Sequence, residues 1–499
     1  MTLARCAAYT RRMTSLKERT ITAFLWRLLE RGGNQCVALI VQIVMARLLT
    51  PNDFGLLAIL LVLINIGNII VLSGLGNSLV QSQHVKSLDF STVFWLMMVI
   101  AILMYLLVFS MAPAISEIYE APILTEALRA LGFVFILGAI ESVQTAYVQR
   151  DLKFRILFKA TVASTLISGG AGITLAFTGA GLWSLVAQQI VYHLANCIAL
   201  AAQTRWSPSL SFSRKIARTH FAFGWRIMVP SLLETLYSSL SNLLIGKQFG
   251  SNALGFVSQG EKYPVAIDSM ISGTLQPVLL AAISRAQNDI SAVKSIVKRT
   301  LQISFFFIAP IMTCFALTAS PIISLLLGDQ WLPAVPFLQM YCISSALSSF
   351  HAINYESFNG MGRSDLFLKT KLVTVSYGIA LMLISIFVIR DVNIVVAAYA
   401  FSSFLSTAVN AFPNHKLIKY PYAEQIRDIL PSIFCAAISS LAILPISSFN
   451  VYPVAHLALQ WLIFLLAYVL LSFAFNKKQI SFLSQEIKKK IRKTPTFSK

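Results

Sequence analysis

The sequence predicts an all-α membrane protein of about fourteen transmembrane helices, built as two pseudo-symmetric six-helix lobes around a central cavity with an additional C-terminal helix pair. Three observations predict it. Of the 499 residues 57% are hydrophobic and only 12% charged, with a mean hydropathy of +0.72, whereas soluble domains carry about 25% charged residues. Apolar stretches follow one another almost without pause from Phe24 to Phe475, each near the roughly 20 residues that a helix needs to cross about 30 Å of hydrocarbon. The third observation is an internal repeat.

Taken in order, the spans are separated by loops of alternating charge. The first helix, 22–48, follows a basic leader with Arg5, Arg11, Arg12, Lys17 and Arg19, and TPND separates it from 54–82. Lys86 precedes 89–112, SEIYEAP leads to 122–148, and Arg150, Lys153 and Arg155 bracket the start of 154–178. After 180–202 come Arg205, Arg214, Lys215 and Arg218, then 219–247, FGSN and 253–283. Arg285, Lys294, Lys298 and Arg299 precede 299–320, and GDQW precedes 333–358. Arg363 opens the way to 366–389 and 393–413. Lys416, Lys419 and Arg427 surround the start of 424–447, SSFNVY leads to 453–475, and a basic tail runs from Lys477 to Lys499.

Every second loop is thus basic. Under the positive-inside rule this puts both termini in the cytoplasm and makes the number of spans even. Of the 40 Lys and Arg residues only about five, Arg47, Arg129, Lys247, Lys262 and Arg390, fall in outer halves. A twelve-span arrangement is the main competitor. The formal charge of +20, which in a soluble chain would point to nucleic acid, here reports topology, and no nucleic-acid partner is expected.

The leader lacks the short apolar core and small-residue cleavage site of a signal peptide, so it is expected to be retained. Five of the six cysteines lie in apolar spans without metal-ligand spacing, so neither a disulfide framework nor a metal site is expected. The tail over 477–493 places Ile480, Leu483 and Ile487 among lysines, a basic amphipathic pattern suited to anionic headgroups, or simply a solvated tail.

The repeat pairs ARLLTPNDFG at 46–55 with GKQFGSNALG at 246–255. Arg47 matches Lys247 and Gly55 matches Gly255 at a shift of 200 residues. RDLKFRILFK from Arg150 and GRSDLFLKTK from Gly362 form a second pair. Both halves begin in the same orientation, so the repeat is parallel, with an axis along the membrane normal. The predicted organisation is an N-lobe over 1–203, a C-lobe over 204–415, a helix pair over 416–475 and a cytoplasmic tail over 476–499.

Charged groups at mid-bilayer cost about 2.5–3.5 kcal/mol, so they face a bundle interior or water and become site candidates. The first helix offers Arg31, Gln35 and Gln42 on one face, and the fourth Glu141 and Gln144. The seventh carries Arg226, Glu234 and Tyr237; the eighth, the most polar, carries Glu261, Lys262, Asp268, Ser272 and Gln276. A lone His351 reads more readily as a packed polar residue than as a ligand. Cationic groups in such a cavity would suit a phosphate, and amides, hydroxyls and aromatics a polyhydroxylated group. Snorkelling is the competing reading for Arg31, Glu141 and Arg226. Pro230, Pro264, Pro277 and Pro310 are expected to act as hinges or fixed kinks. No Walker loop, HExxH or extramembrane DxD pair occurs, so an ATPase or conventional hydrolase, and enzymatic activity in general, is not expected.

The stretches QIVMARLLTPNDFGLLAI at 42–59, SGLGNSLVQSQ at 73–83, DFSTVFWLM at 89–97, YVQRDLKFR at 147–155, GKQFGSNALGFVSQ at 246–259 and GRSDLFLK at 362–369 resemble the polysaccharide transporters. These are the Wzx-like flippases of the multidrug/oligosaccharidyl-lipid/polysaccharide exporter superfamily, and the likeness is greatest to the colanic-acid-exporter-like branch. The resemblance implies two six-helix lobes plus a pair, alternating access, and transfer of a polyprenyl-pyrophosphate-linked repeat unit between leaflets for surface polysaccharide assembly. A polysaccharide polymerase and co-polymerase would be partners. No cofactor is implied, but coupling to H+ or Na+ would give Glu234 or Asp268 a role. The competing readings are a multidrug or cation antiporter of the same superfamily and a membrane-embedded polymerase or ligase.

Overall fold

A computed structural model describes residues 33–72, 74–82, 85–151, 153–204, 206–443, 453–476 and 479, apart from the side chains of Asn77, Tyr237 and Thr274. The basic leader, Arg31 and nearly all of the basic tail lie outside the described residues. The regular structure of the described residues is helical throughout. In hydrocarbon every backbone N–H and C=O must be satisfied within its own segment, and a helix does this.

Helix α1 (Gly33–Leu48) leads to α2 (Pro51–Leu72), and the short α3 (Leu75–Gln81) completes the second predicted span. Thr50 and Asp53 start α2 by a reciprocal cap: Thr50 N donates to Asp53 Oδ2 at 3.0 Å and Asp53 N donates to Thr50 Oγ1 at 3.3 Å. Pro51 occupies the first helical position, where its missing N–H costs nothing. There follow α4 (Ser87–Ile118), α5 (Ile123–Leu131), α6 (Val134–Arg150), α7 (Phe154–Phe177) and α8 (Leu182–Thr204). The fourth predicted span is divided between α5 and α6 at Gly132 and Phe133.

The 73-residue α9 (Arg214–Ala286) covers the seventh and eighth predicted spans and is broken at one residue, Gly250, with φ 84° and ψ 168°. Only glycine adopts that conformation readily. Pro230, Pro264 and Pro277 leave α9 helical although each forfeits an i→i−4 hydrogen bond and crowds the carbonyl four residues before it. The break therefore lies at the glycine and not at the prolines.

Helices α10 (Ile290–Leu317), α11 (Ala319–Leu326), α12 (Val335–Gly360), α13 (Ser364–Ile384), α14 (Val392–Leu417), α15 (Tyr422–Leu441) and α16 (Pro453–Phe475) follow. Among the described residues ten helical stretches are long and apolar enough to cross a membrane, the two arms of α9 counting as one. Asp289 caps α10, accepting from Ser291 N at 2.9 Å and Ala292 N at 3.0 Å. The Ser291 hydroxyl first, and these amides with it, hold the Asp289 carboxyl below its usual range.

The chain divides into two compact units, Met1–Gly255 and Phe256–Lys499. In the first, α7 packs along α8 and α6 along α8, with Val148, Leu157, Ala160 and Leu200 in one buried cluster. In the second, α15 and α16 pack on α10 around Cys314, Cys435, Phe464 and Tyr468. At the basic ends Lys298 Nζ bridges Glu424 and Asp428 at 3.0 Å each, and Lys294 Nζ meets Glu424 at 2.7 Å. A buried amide ladder joins α12 to α14: Asn414 Nδ2 donates to Asn354 Oδ1 at 2.6 Å and Ser357 Oγ to Asn414 Oδ1 at 2.8 Å.

Candidate functional site

Two polar rows meet inside the first unit. Asn65 and Asn68 project from α2 three residues apart and so share a face, and Thr235, Ser238 and Ser239 do the same on the first arm of α9. Together with Ile69 and Leu72 they line a hollow of about 470 Å³. Asn65 lies fourteen residues into a 22-residue apolar helix, roughly 20 Å from its start. Asn68 Oδ1 has no hydrogen-bond partner there although it is shielded by the protein. That oxygen lies toward Gly138 of α6, so the polar lining offered to a ligand is the amide of Asn65 and the hydroxyls across from it.

Nearer the start of α2 the two arms of the repeat cross. A Cβ on Gly55 would strike Ser251 O, and a Cβ on Gly255 would strike Pro51 O. Under the 200-residue shift Gly55 corresponds to Gly255 and Pro51 to Ser251. The contacts are images of one another, as at a two-fold axis, where i touches j and j touches i. Ser251 Oγ also donates to Asn52 Oδ1. The capped start of α2 thus lies against the turn at Gly250, and two glycines allow backbone to meet backbone.

Charged groups are held in two further places. Glu141 on α6 accepts from Asn196 Nδ2 at 2.5 Å and meets His193 Nδ1 at 3.0 Å, both on α8. In the second unit Asp268 Oδ1 accepts from Ser272 Oγ at 2.8 Å and from Ser349 Oγ of α12 at 3.3 Å.

Of the residues expected from sequence, Asp268 and Gln276 are brought together around Ser272 and Ser349, the latter two lining a small cavity with Gln276. Gln35, Gln42, Glu261 and Lys262 are half-buried, Gln144 is buried with Oε1 unpaired, and Arg226 and Glu234 are exposed. Arg31 and the side chain of Tyr237 lie outside the described residues. His351 is a packed polar residue, its ring nitrogens 3.2 Å from Ser403 Oγ and 3.1 Å from Asn410 Nδ2. Weighing ionisable groups first passes over Asn65, Asn68, Thr235, Ser238, Ser239, His193 and Asn196. Their three- and four-residue spacing inside apolar spans is the signal that reveals them.

Residues 44–336 match the family described as "Polysaccharide biosynthesis protein". The chain belongs to this family. It is 23% identical to the lipopolysaccharide biosynthesis protein WzxC of Escherichia coli (strain K12), over 67% of this chain and 68% of that one. It is 25% identical to the succinoglycan biosynthesis transport protein ExoT of Rhizobium meliloti (strain 1021), over 64% of this chain and 65% of that one. These alignments span about two thirds of each relative. Among solved structures, the lipid II flippase MurJ in an inward closed conformation superposes with a TM-score of 0.73 at 14% identity, covering 92% of this chain and 100% of that one. Membership bears out the resemblance to the polysaccharide transporters, and the superposition shows a shared multi-span helical fold.

Proposed function

We propose that this protein is a flippase that carries a polyprenyl-pyrophosphate-linked oligosaccharide from the cytoplasmic to the periplasmic leaflet of a bacterial inner membrane, by alternating access, for surface polysaccharide assembly. The observation that carries the reading is the hollow of about 470 Å³ lined by Asn65, Asn68, Thr235, Ser238 and Ser239 inside otherwise apolar helices. Uncompensated amides and hydroxyls are costly in hydrocarbon. A row of amides and hydroxyls, of which Ser238 Oγ also donates to Thr235 O at 3.1 Å, serves a ligand that presents many hydroxyls and little net charge, which describes a sugar chain. The transport and polysaccharide terms in the names of the relatives support the same reading.

The polyprenyl tail stays in the bilayer, since each CH₂ withdrawn from lipid costs about 0.8 kcal/mol. Only the headgroup then needs a path. Arg31, Arg226 and Lys262 are the proposed partners of the pyrophosphate, and Gln35, Gln42, Gln144, Tyr237, Glu261 and Gln276 further headgroup contacts. Both termini are cytoplasmic in this proposal, the lobes are 1–203 and 204–415, and no covalent chemistry takes place. The reciprocal contact of Gly55 and Gly255 supports the two-fold relation. Coupling to H+ or Na+ is proposed at Asp268, which already has two hydroxyl partners, or at Glu234.

A deletion strain should accumulate the lipid-linked unit and lose surface polysaccharide. Complementation with Asn68→Leu or Ser238→Leu should restore insertion but cut export at least several-fold. Full export by both variants at wild-type abundance would remove the hollow from the pathway. Normal polysaccharide in the deletion strain would overturn the function.

A further inference from the structure

We propose that the linker between α8 and α9, together with the start of α4, forms a binding site for an anionic phospholipid, whose acyl chain lies in an apolar cleft and whose phosphate meets Arg214, Lys215 and Arg218. The cleft has a volume of about 390 Å³ and is lined by Trp95, Leu96 and Val99 of α4 and by Leu210 and Phe212 of the linker.

The cleft is built, not incidental. Ser209 N and Oγ each lie 3.0 Å from Ser91 Oγ, Trp95 Nε1 donates to Ser209 O at 2.8 Å, and Ser213 N donates to Thr92 Oγ1 at 3.3 Å. Trp206 packs its ring tilted against Phe90 and edge-on to Phe94, with centroids 6.1 and 6.0 Å apart. The linker backbone is thereby pinned to α4 at both ends of the cleft. Yet the side chains between those points turn outward, leaving Leu210 90% and Phe212 50% exposed. Held in water, such a conformation forfeits the burial that drives apolar groups inward. The arrangement is favourable where the surroundings are acyl chains, and a tryptophan with its N–H satisfied and its ring in the cleft suits the membrane boundary.

Charge selects the lipid. Arg214, Lys215 and Arg218 follow Phe212 directly on the first turns of α9 and are exposed, as is Lys86 before α4. The carboxylate on this rim, Asp89, is engaged by Lys86 N at 2.8 Å and lies 3.6 Å from His220 Nε2. Exposed cations beside an apolar slot attract an anionic headgroup in preference to a zwitterionic one. Because the linker joins the two repeats, its occupancy would make the protein sensitive to lipid composition.

The test uses the full chain in nanodiscs containing brominated phosphatidylglycerol or brominated phosphatidylcholine. The difference in tryptophan quenching between wild type and Trp95→Phe reports on Trp95. Expected is half-maximal quenching of Trp95 at a several-fold lower mole fraction of the glycerol lipid than of the choline lipid. Neutralising Arg214, Lys215 and Arg218 to Gln should erase that preference, and Leu210→Ser with Phe212→Ser should lower quenching by both lipids. Equal quenching by the two lipids in wild type, no Trp95 quenching by either, or a preference that survives neutralisation would overturn the proposal. The neutralised variant leaves the cleft intact, so the outcome does not depend on the apolar variants folding.

Discussion

Glu141 sits within an apolar helix and keeps its place by local partners, a hydrogen bond from Asn196 at 2.5 Å and His193 at 3.0 Å. Removing the carboxylate in Glu141→Ala strands both donors, and an unsatisfied buried group costs about 1–3 kcal/mol. Thermal unfolding in detergent should show that loss, with a smaller one for Glu141→Gln, which retains an acceptor for Asn196. Equal Tm values for wild type and Glu141→Ala would rule out a stabilising triad. Asp289 offers a second test, outside the spans. Its carboxyl is held below the usual range by the Ser291 hydroxyl and the amides it caps, so its contribution is complete above the ordinary aspartate pKa of about 3.9 and fades as pH falls through the lower folded value. At neutral pH Asp289→Ala should speed hydrogen exchange of the Ser291 and Ala292 amides, while Asp289→Asn, still a good cap, should do so less. At this scale the sequence was only partly legible. Glu141 stood out as an ionisable group in an apolar span, but its partners His193 and Asn196 are on α8, and no sequence pattern pairs helices across 52 or 55 residues.

Helices themselves were legible in existence and order, because a single apolar segment of about 20 residues satisfies its own backbone in hydrocarbon only as a helix. Their ends were less so: α10 begins nine residues before the expected 299 and α4 runs six beyond the expected 112. The expected 453–475 coincides with α16, and 154–178 with α7 to within one residue. The break in α9 was less legible. Proline is the familiar helix breaker, but Pro230, Pro264 and Pro277 are absorbed, whereas Gly250 turns the chain because φ 84° with ψ 168° suits no side chain. The site fell between these cases: Asn65 and Asn68 show their shared face in sequence, but nothing in sequence sets them opposite Thr235 and Ser238. Between elements, polar pairs do the joining that water-driven burial does in soluble proteins. The Asn354–Asn414–Ser357 ladder is the clearest case, and interhelical hydrogen bonds in membranes are worth about 0.6–2 kcal/mol. Asn414→Leu should therefore lower stability by about 1 kcal/mol or more while leaving helix content unchanged, measured by circular dichroism against a denaturant series. An undiminished midpoint would mean that α12 and α14 are held by shape alone.

The largest regularity is the reciprocal crossing at 51–55 and 251–255, foreshadowed by the matched loops but not deducible from them, since a repeat in sequence says nothing of whether its copies touch. The two copies solve one turn differently: Thr50 and Asp53 cap the first, and Gly250 bends the second. Both then place glycine five residues on from Thr50 and Gly250, at Gly55 and Gly255, where the backbones meet. Backbone cannot yield as a side chain can, so a methyl at Gly55 or Gly255 must push the helices apart, whereas a bond across the crossing must hold them together. Alternating access requires that one end of the pathway open when the other closes, and the crossing lies at the end proposed to face the periplasm. In a background with the native cysteines replaced, Asn52→Cys combined with Ser251→Cys, whose native side chains are hydrogen-bonded, should form a disulfide under oxidation. Export should then fall at least ten-fold and recover on reduction, while either single variant stays active. Quantitative cross-linking with undiminished export would show that these helix starts stay joined throughout the cycle, and the opening would have to lie elsewhere.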